Sequence, residues 1–224
     1  MKVAIMQPTY LPWIGYFALM DFVDVFIILD SVQFSKRSWQ QRNQIKTESG
    51  PKWLTVPVIS KGKRDQLISD VQIDYSSKFP TSHITMIEQN YKQSPFFSNY
   101  SEDFFNVLRK KYVHLSHLSI DLILLTRKLL DIKTKIQYSS EFVTKGSKGE
   151  LLAELCKHVG ATEYVSPPGS KVYLDDSNSF IKRNIPIKYF DYKHPNYPQS
   201  HGDFIQYMSV IDLMFSCGPE SKFF

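Results

Sequence analysis

The strongest constraint on the fold comes from two short apolar runs near the N-terminus. Val3–Met6 ends at Gln-Pro, and the run from Asp24 to Asp30 (DVFIILD) is bounded by acids. A polar and aromatic loop covers residues 7–13, and an apolar segment over about 14–22 is long enough for a short helix. Strand, helix and strand in this order form a βαβ unit, whose strands lie parallel with a right-handed crossover. The sequence therefore predicts a Rossmann-like start to an α/β fold with a mainly parallel sheet.

The same apolar patterns predict the remaining elements. Further strands are expected at Trp53–Val58, at the alternating Val71, Ile73 and Tyr75, at Tyr164–Val165 and at Pro186–Tyr192. Helices are expected at residues 81–91, 99–112, 116–131, 147–158 and 204–215. Ser147 and Glu150 have the spacing of a capping box, and Gly160 follows that helix as a stop signal. We expect a single domain over residues 1–224, with a helical lobe at about 80–132.

Composition narrows the class of protein. Apolar residues make up 42% of the 224 residues, which is enough for a packed core, and the net charge is +5. The basic residues are scattered, whereas a nucleic-acid binder usually concentrates them in a patch, so no nucleic-acid partner is expected. The two cysteines match no zinc spacing, and no metal site is expected. No signal peptide or membrane span is visible, so the cytoplasm is the expected compartment.

The loop after the first strand is the leading candidate for a ligand site. In open α/β sheets, ligands bind at the carboxyl ends of the strands. Two prolines stiffen this loop, and Gly15 permits a close approach. Side chains suited to hydrogen bonding or stacking are those of Gln7, Tyr10, Trp13 and Tyr16. The alternative is a stiff structural turn with inward-facing rings.

A second polar cluster, residues 30–43, follows the second apolar run. Asp30 and Gln33 can bind sugar hydroxyls, and the planar guanidinium groups of Arg37 and Arg42 suit a phosphate. Asn43 closes the cluster. A solvated loop is the alternative. Because both clusters follow neighbouring strands, we expect one crevice, and its members are Gln7, Tyr10, Trp13, Asp30 and Arg42.

The far half of the chain offers a candidate general base. His194 lies in a loop with two prolines (HPNYPQ), and histidine side chains commonly exchange protons near neutral pH. The alternative is a surface or packing histidine. His83, His114 and His117 have no acid at ligand spacing and are interpreted as structural, and Cys156 as a buried thiol. The other candidate substrate contacts here are Ser166, Ser170, Tyr173, Tyr197, Gln199 and Asp212.

Several segments together carry a family resemblance. They are QPTYLPWIGYF, DVFIILDSVQF, WQQRNQI, WLTVPV, GATEYVSPPGSKVYL, HPNYPQ and FIQYMSVIDLMFSCG. Nearly the whole chain resembles the WbqC-like family. This resemblance implies that the protein is encoded among surface-polysaccharide genes, especially the O-antigen gene clusters of lipopolysaccharide. These clusters encode enzymes that make acylated amino sugars. A fainter resemblance connects the first loop to pantothenate synthetase and related nucleotidylyl transferases, in which two histidines bind ATP phosphates. Trp13 and Tyr16 occupy those places here.

Three functions follow as hypotheses. The first is a transferase that moves an acyl or aminoacyl group, from a thioester donor or an acyl carrier, to an amino sugar on a nucleotide carrier, with His194 as base. The second is a nucleotide-dependent ligase or nucleotidyl transferase, which the absent histidines disfavour. The third is a non-catalytic module that binds a carrier-linked sugar, since no complete catalytic triad is visible.

Overall fold

A computed structural model describes residues 1–174 and 178–224. The strands, in chain order, are β1 (Lys2–Met6), β2 (Val25–Ile28), β3 (Arg42–Thr47), β4 (Gly50–Thr55), β5 (Lys135–Tyr138), β6 (Glu163–Ser166) and β7 (Ile187–Tyr189). The α-helices are α1 (Ile14–Asp21), α2 (Thr81–Tyr91), α3 (Phe97–Arg109), α4 (Leu115–Leu129), α5 (Lys148–His158), α6 (Lys171–Leu174) and α7 (Val210–Cys217). None of the helices in the described ranges is long and apolar enough to cross a membrane.

The first of two compact units, here called the sheet unit, comprises Met1–Gln7, Ala18–Ser31 and Lys133–Lys193. Its five strands have the order β5-β2-β1-β6-β7, and every pairing is parallel. All four residues of β2 are buried, as are the central three of β1. Burial on both faces explains why these strands are continuous apolar runs in the sequence. The predicted α/β class with a mainly parallel sheet is confirmed.

The second unit, here called the hairpin unit, comprises Pro8–Phe17, Val32–Ile132 and His194–Phe224. It contains the antiparallel hairpin β3–β4 and the helices α2, α3, α4 and α7. Phe215 on α7 lies at the centre of its aromatic core, in edge contact with Tyr91, Phe97 and Phe104. The helices expected at residues 80–132 are present as α2–α4.

Two local predictions are wrong, and two strands were not predicted. Ile73 forms an isolated bridge to Val58, so the strand expected at 71–75 is absent as an element. The polar cluster at residues 30–43, for which no strand was predicted, ends in the first residues of β3. The closing helix begins at Val210 and not at 204, because Ser209 is bound to other chain segments: its N–H donates to Gln44, and it bridges Trp13. β5 was not predicted.

The capping box at Ser147 and Glu150 is also absent. The Ser147 side chain makes no cap hydrogen bond at the start of α5. The Glu150 carboxylate instead accepts a 2.5 Å hydrogen bond from Arg183, which also pairs with Glu154. A charge-assisted bond to guanidinium is stronger than a bond to a neutral amide, so the ion pair prevails over the local cap. The predicted stop is confirmed, since Gly160 has a positive φ of 71°.

Candidate functional site

Polar residues follow the central strands of the sheet unit. Gln7 comes directly after β1, Asp30 lies two residues beyond β2, and Ser166 ends β6. The registers pair Met6 with Ile28 and Ala4 with Val165. Since the strands are parallel, their carboxyl ends meet at one edge of the sheet, where ligands of such folds bind.

The carboxylate of Asp30 forms hydrogen bonds with the turn after β5. Its Oδ1 accepts hydrogen bonds from the Ser139 hydroxyl at 2.8 Å and the Ser140 N–H at 3.0 Å. Its Oδ2 accepts from the Ser140 hydroxyl at 2.7 Å. A carboxylate offers about four acceptor positions, so three bonds leave little capacity for a sugar hydroxyl. The geometry therefore gives Asp30 a role in holding this edge of the sheet in shape.

Ser166 and Ser170 form a small hydroxyl cluster at the same edge. The two hydroxyl groups share a 2.6 Å hydrogen bond, and Ser170 also donates to the Pro167 carbonyl. Both side chains are buried. The side chain of Tyr173, the third residue expected here, lies outside the described part of the structure.

Tyr10 and Tyr16 of the first loop lie in the core of the hairpin unit, and both are almost fully buried. Tyr10 donates to Nδ1 of His83 at 2.9 Å, while Nε2–H of His83 donates to the Thr55 carbonyl at 3.2 Å. Burial lowers the pKa of His83 to about 4, and the bond to Thr55 opposes that shift in part. His83 is therefore a neutral structural residue, as expected.

Trp13 of the first loop lies against His194 in the hairpin unit. The two rings stack nearly parallel, with an interplanar angle of 8° and centroids 5.9 Å apart. Tyr207 meets Trp13 edge-on at 5.2 Å. Gly15 makes this placement possible, because a Cβ there would lie 2.0 Å from Cη2 of Trp13. Two candidates from opposite ends of the chain are thus in direct contact.

The tautomer of His194 follows from its partners. The Pro195 carbonyl only accepts, so Nδ1 carries the proton and donates at 2.8 Å. Nε2 is then the basic nitrogen, and it accepts a 3.1 Å hydrogen bond from the backbone N–H of Tyr207. Tyr207 is exposed and has a positive φ of 63°, which is uncommon for a residue other than glycine. The basic nitrogen thus faces an exposed, conformationally unusual residue.

Asp212 is buried beneath this cluster and is fully hydrogen-bonded. Tyr91 donates to Oδ1 at 2.7 Å, while Tyr197 and Gln199 donate to Oδ2 at 2.8 and 2.7 Å. Burial raises the pKa of this carboxyl, and the three donors offset only part of the effect. The ring of Tyr197 in turn stacks on His194, with centroids 6.2 Å apart. A continuous set of contacts therefore connects Trp13 to Asp212.

Lys46 on β3 belongs to the same region and was not anticipated. Its side chain is buried, and Nζ donates to the carbonyls of Gly202 at 3.1 Å and Asp203 at 2.5 Å. Its backbone N–H donates to the hydroxyl of Tyr91. A buried lysine needs such partners, but no sequence spacing signals them, because they come from segments over 150 residues away.

The remaining candidates on and beside β3 have mainly structural contacts. Arg42 places its guanidinium 4.1 Å from the ring centre of Trp53, and its Nε is buried without a partner among the described residues. Asn43 is buried and donates to the Leu11 carbonyl at 2.6 Å, which ties the first loop to the hairpin. Gln33 is exposed and donates to Arg64 and Asp65.

The family model described as the WbqC-like protein family matches residues 7–223. The chain belongs to this family. It is also 38% identical, over 222 residues, to the uncharacterized protein Rv1507c of Mycobacterium tuberculosis, and the match covers 98% of this chain and 95% of that relative. No solved structure matches the chain.

In this WbqC-like protein, the described residues contain no cluster of three metal-ligating side chains. Cys156, a candidate nucleophile in principle, is fully buried, and burial raises the pKa of its thiol. It is the buried thiol that the sequence predicts.

The predicted crevice divides between the two units. Gln7 and Asp30 belong to the sheet unit, whereas Tyr10, Trp13 and Arg42 belong to the hairpin unit. Within the hairpin unit, a separate group of candidates is in contact, and its members are Trp13, His194, Tyr197, Gln199 and Asp212. That Gln7, Tyr10, Trp13, Asp30 and Arg42 line one crevice stays a prediction.

Proposed function

We propose that this WbqC-like protein is a transferase of surface-polysaccharide biosynthesis. It would transfer an acyl or aminoacyl group from a thioester donor to an amino sugar on a nucleotide carrier. The resemblance of the whole chain to a family associated with O-antigen genes supports the substrate class, and the cluster around His194 supports the chemistry.

The observation that carries the proposal is the fixed orientation of His194. Pro195 holds the proton on Nδ1, and Trp13 supports the ring face, so the lone pair of Nε2 has one direction. Preorganised imidazoles of this kind serve as general bases. In the proposed site, the sugar amine takes the place of the Tyr207 N–H at Nε2.

The proposed step is an aminolysis of the thioester. The amine nitrogen attacks the thioester carbonyl, an N–C bond forms, and the C–S bond breaks. Nε2 of His194 accepts the proton that the nitrogen loses, and the departing thiolate then takes this proton. The exposed aromatic ring of Tyr207 is expected to pack against the sugar, because such rings offer an apolar face beside polar groups.

Removal of His194 tests the proposal. Both His194→Ala and His194→Gln should lower turnover by about 100- to 10,000-fold, which is the usual contribution of a general base. The matched control is His117→Ala, because His117 is an exposed histidine of the same unit. Thermal unfolding of each variant checks folding. Full turnover in folded His194→Ala would contradict the proposal.

A ligand screen would precede this test. Thermal shifts with acyl-coenzyme A, ATP and nucleotide amino sugars identify what the folded chain binds, since a ligand at 100 times its Kd adds about 2.7 kcal/mol to the free energy of unfolding. We expect shifts with the nucleotide amino sugar and with the thioester, each larger than the shift with ATP. A shift with ATP alone would favour the ligase hypothesis.

One observation favours a second candidate, a non-catalytic module that binds a carrier-linked sugar. Nε2 of His194 already accepts the N–H of Tyr207, so the imidazole can be a purely structural support for that segment. In that case the nucleotide sugar binds, no product forms with any donor, and the effect of His194→Ala is a lower melting temperature.

A further inference from the structure

A basic cleft lies in the hairpin unit, and its residues are distant from His194 in the sequence. It has a volume of ≈ 520 Å³ and is formed by two segments, residues 33–36 and residues 60–66. The segments are joined by an antiparallel bridge between Gln33 and Leu67, and the N–H of Phe34 donates to the Gln66 carbonyl at 3.0 Å. These backbone hydrogen bonds hold the two segments that form the cleft side by side.

The charges of this cleft have one sign. Lys36, Lys63 and Arg64 line it, all three are exposed, and none forms an ion pair with a described residue. Among the described residues that line the cleft there is no carboxylate. The neighbouring acid, Asp65, accepts a 3.1 Å hydrogen bond from Gln33. Such a concentration of unpaired cations favours an anionic ligand.

Gln66 supplies an independent indication of a ligand. Gln66 is among the residues that line the cleft, and both of its side-chain amide atoms, Nε2 and Oε1, are buried without a hydrogen-bond partner in the described structure. Buried amides are almost always paired in folded proteins, so an unpaired one calls for an explanation. An amide N–H that meets a phosphate oxygen would satisfy this group.

The turn between the walls is also suited to an extended anion. Gly62 has a φ of 74°, a conformation that glycine adopts without strain, and no group lies within 4 Å of the position that a Cβ would take there. Ser35 and Ser60 add hydroxyl groups at the rim. Lysine and arginine with nearby hydroxyls and amides are the groups that commonly bind phosphate.

We propose that this cleft binds the diphosphate of the nucleotide carrier. The assignment rests on the proposed function for the identity of the carrier, but the binding site itself is independent of the transfer chemistry. Lys36, Lys63 and Arg64 would neutralise the two phosphates, and Nε2 of Gln66 would donate to one of their oxygens. Arg42, whose guanidinium lies over Trp53, is not part of this site.

Calorimetric titration of the full chain tests the proposal, with inorganic pyrophosphate and with uridine and guanosine diphosphates as probes. We expect binding by pyrophosphate and at least equal affinity for one of the nucleotides. The double variant Lys63→Gln/Arg64→Gln should weaken both about 10-fold or more, as loss of charge-assisted hydrogen bonds does. The control Lys92→Gln/Lys111→Gln removes the same charge from exposed positions elsewhere and should change affinity less than twofold.

Gln66→Met provides a second readout. It should weaken pyrophosphate binding and at the same time raise the melting temperature, because it removes an unpaired buried amide and keeps an unbranched side chain. A merely structural glutamine would lower the melting temperature instead.

Three results would overturn the proposal. They are no pyrophosphate binding at millimolar concentration, equal loss of affinity in the control variant, and binding of pyrophosphate without any nucleoside diphosphate. His194→Ala should keep its affinity for pyrophosphate. Failure of the transferase proposal would therefore appear as absent turnover with the cleft still occupied, and failure of the cleft proposal as absent diphosphate binding.

Discussion

Acid should destabilise this protein through His83. This residue is only 6% exposed, and burial lowers its pKa from 6.5 to about 4. The unfolded chain therefore binds a proton in this pH range before the folded chain does, and stability is lost as pH falls from about 6.5 towards 4. Each pKa unit corresponds to about 1.4 kcal/mol, so the loss is about 2 kcal/mol at pH 5 and about 3 kcal/mol at pH 4.

Urea denaturation at pH 7 and pH 5 measures this effect. His83→Gln is less stable at both values because it loses the contacts with Tyr10 and Thr55, but its stability should fall by about 2 kcal/mol less between them. His117→Gln, with an exposed histidine, keeps the full wild-type loss.

The pKa shift of Asp212 makes stability depend on pH in the opposite direction. The comparison of wild type with His83→Gln removes this contribution. The folded pKa of Asp212 is raised, so its contribution is fully present below the unfolded pKa and is lost as pH rises through the folded pKa. Because Asp212 is present in both proteins, the difference between wild type and His83→Gln isolates His83. An identical pH dependence in the two proteins, or a His83 imidazole that titrates near 6.5 by NMR, would refute the reasoning.

Three further predictions concern the candidate site. Gly15→Ala places a methyl group 2.0 Å from the Trp13 ring, so it should displace that ring, change the tryptophan fluorescence and cost about 1–3 kcal/mol of stability in urea titrations; unchanged fluorescence would contradict this. Asp212→Asn turns an NH₂ group towards a hydrogen-bond donor and should cost about 1–3 kcal/mol, measured by thermal denaturation, and wild-type stability would count against the network. Because Trp13 and Tyr16 stand where nucleotidylyl transferases have histidines, a carboxylic acid should not release pyrophosphate from ATP, and its detection would contradict the prediction.

The sequence predicts the sheet unit well where burial is two-sided. β1 and β2 are continuous apolar runs and were located within one or two residues. β3 was missed because it has the sequence RNQIKT, and its buried polar residues depend on distant partners. Asn43 needs the Leu11 carbonyl, and Lys46 needs two carbonyls at positions 202 and 203. The sequence near a buried polar residue does not show which distant groups will bind it.

The same limit applies to the candidate site. Trp13, His194 and Asp212 were selected from three separate motifs, each for its residue type, and the structure places Trp13 on His194. Lys46, Tyr91 and Gln66 were missed, since their importance depends on burial and not on spacing. Tyr91 and Asp212 are 121 residues apart, which no helical or strand periodicity can connect.

The pairing of β1 has a consequence for the synthesis of the chain. β2 can pair with β1 once about 30 residues have left the ribosome, but the other edge of β1 must wait for β6, because Ala4 pairs with Val165. An unpaired strand edge can pair with another chain, and long-range parallel pairing forms slowly. During most of its synthesis, the nascent chain therefore exposes an aggregation-prone edge, and any truncation before residue 163 leaves that edge permanently open.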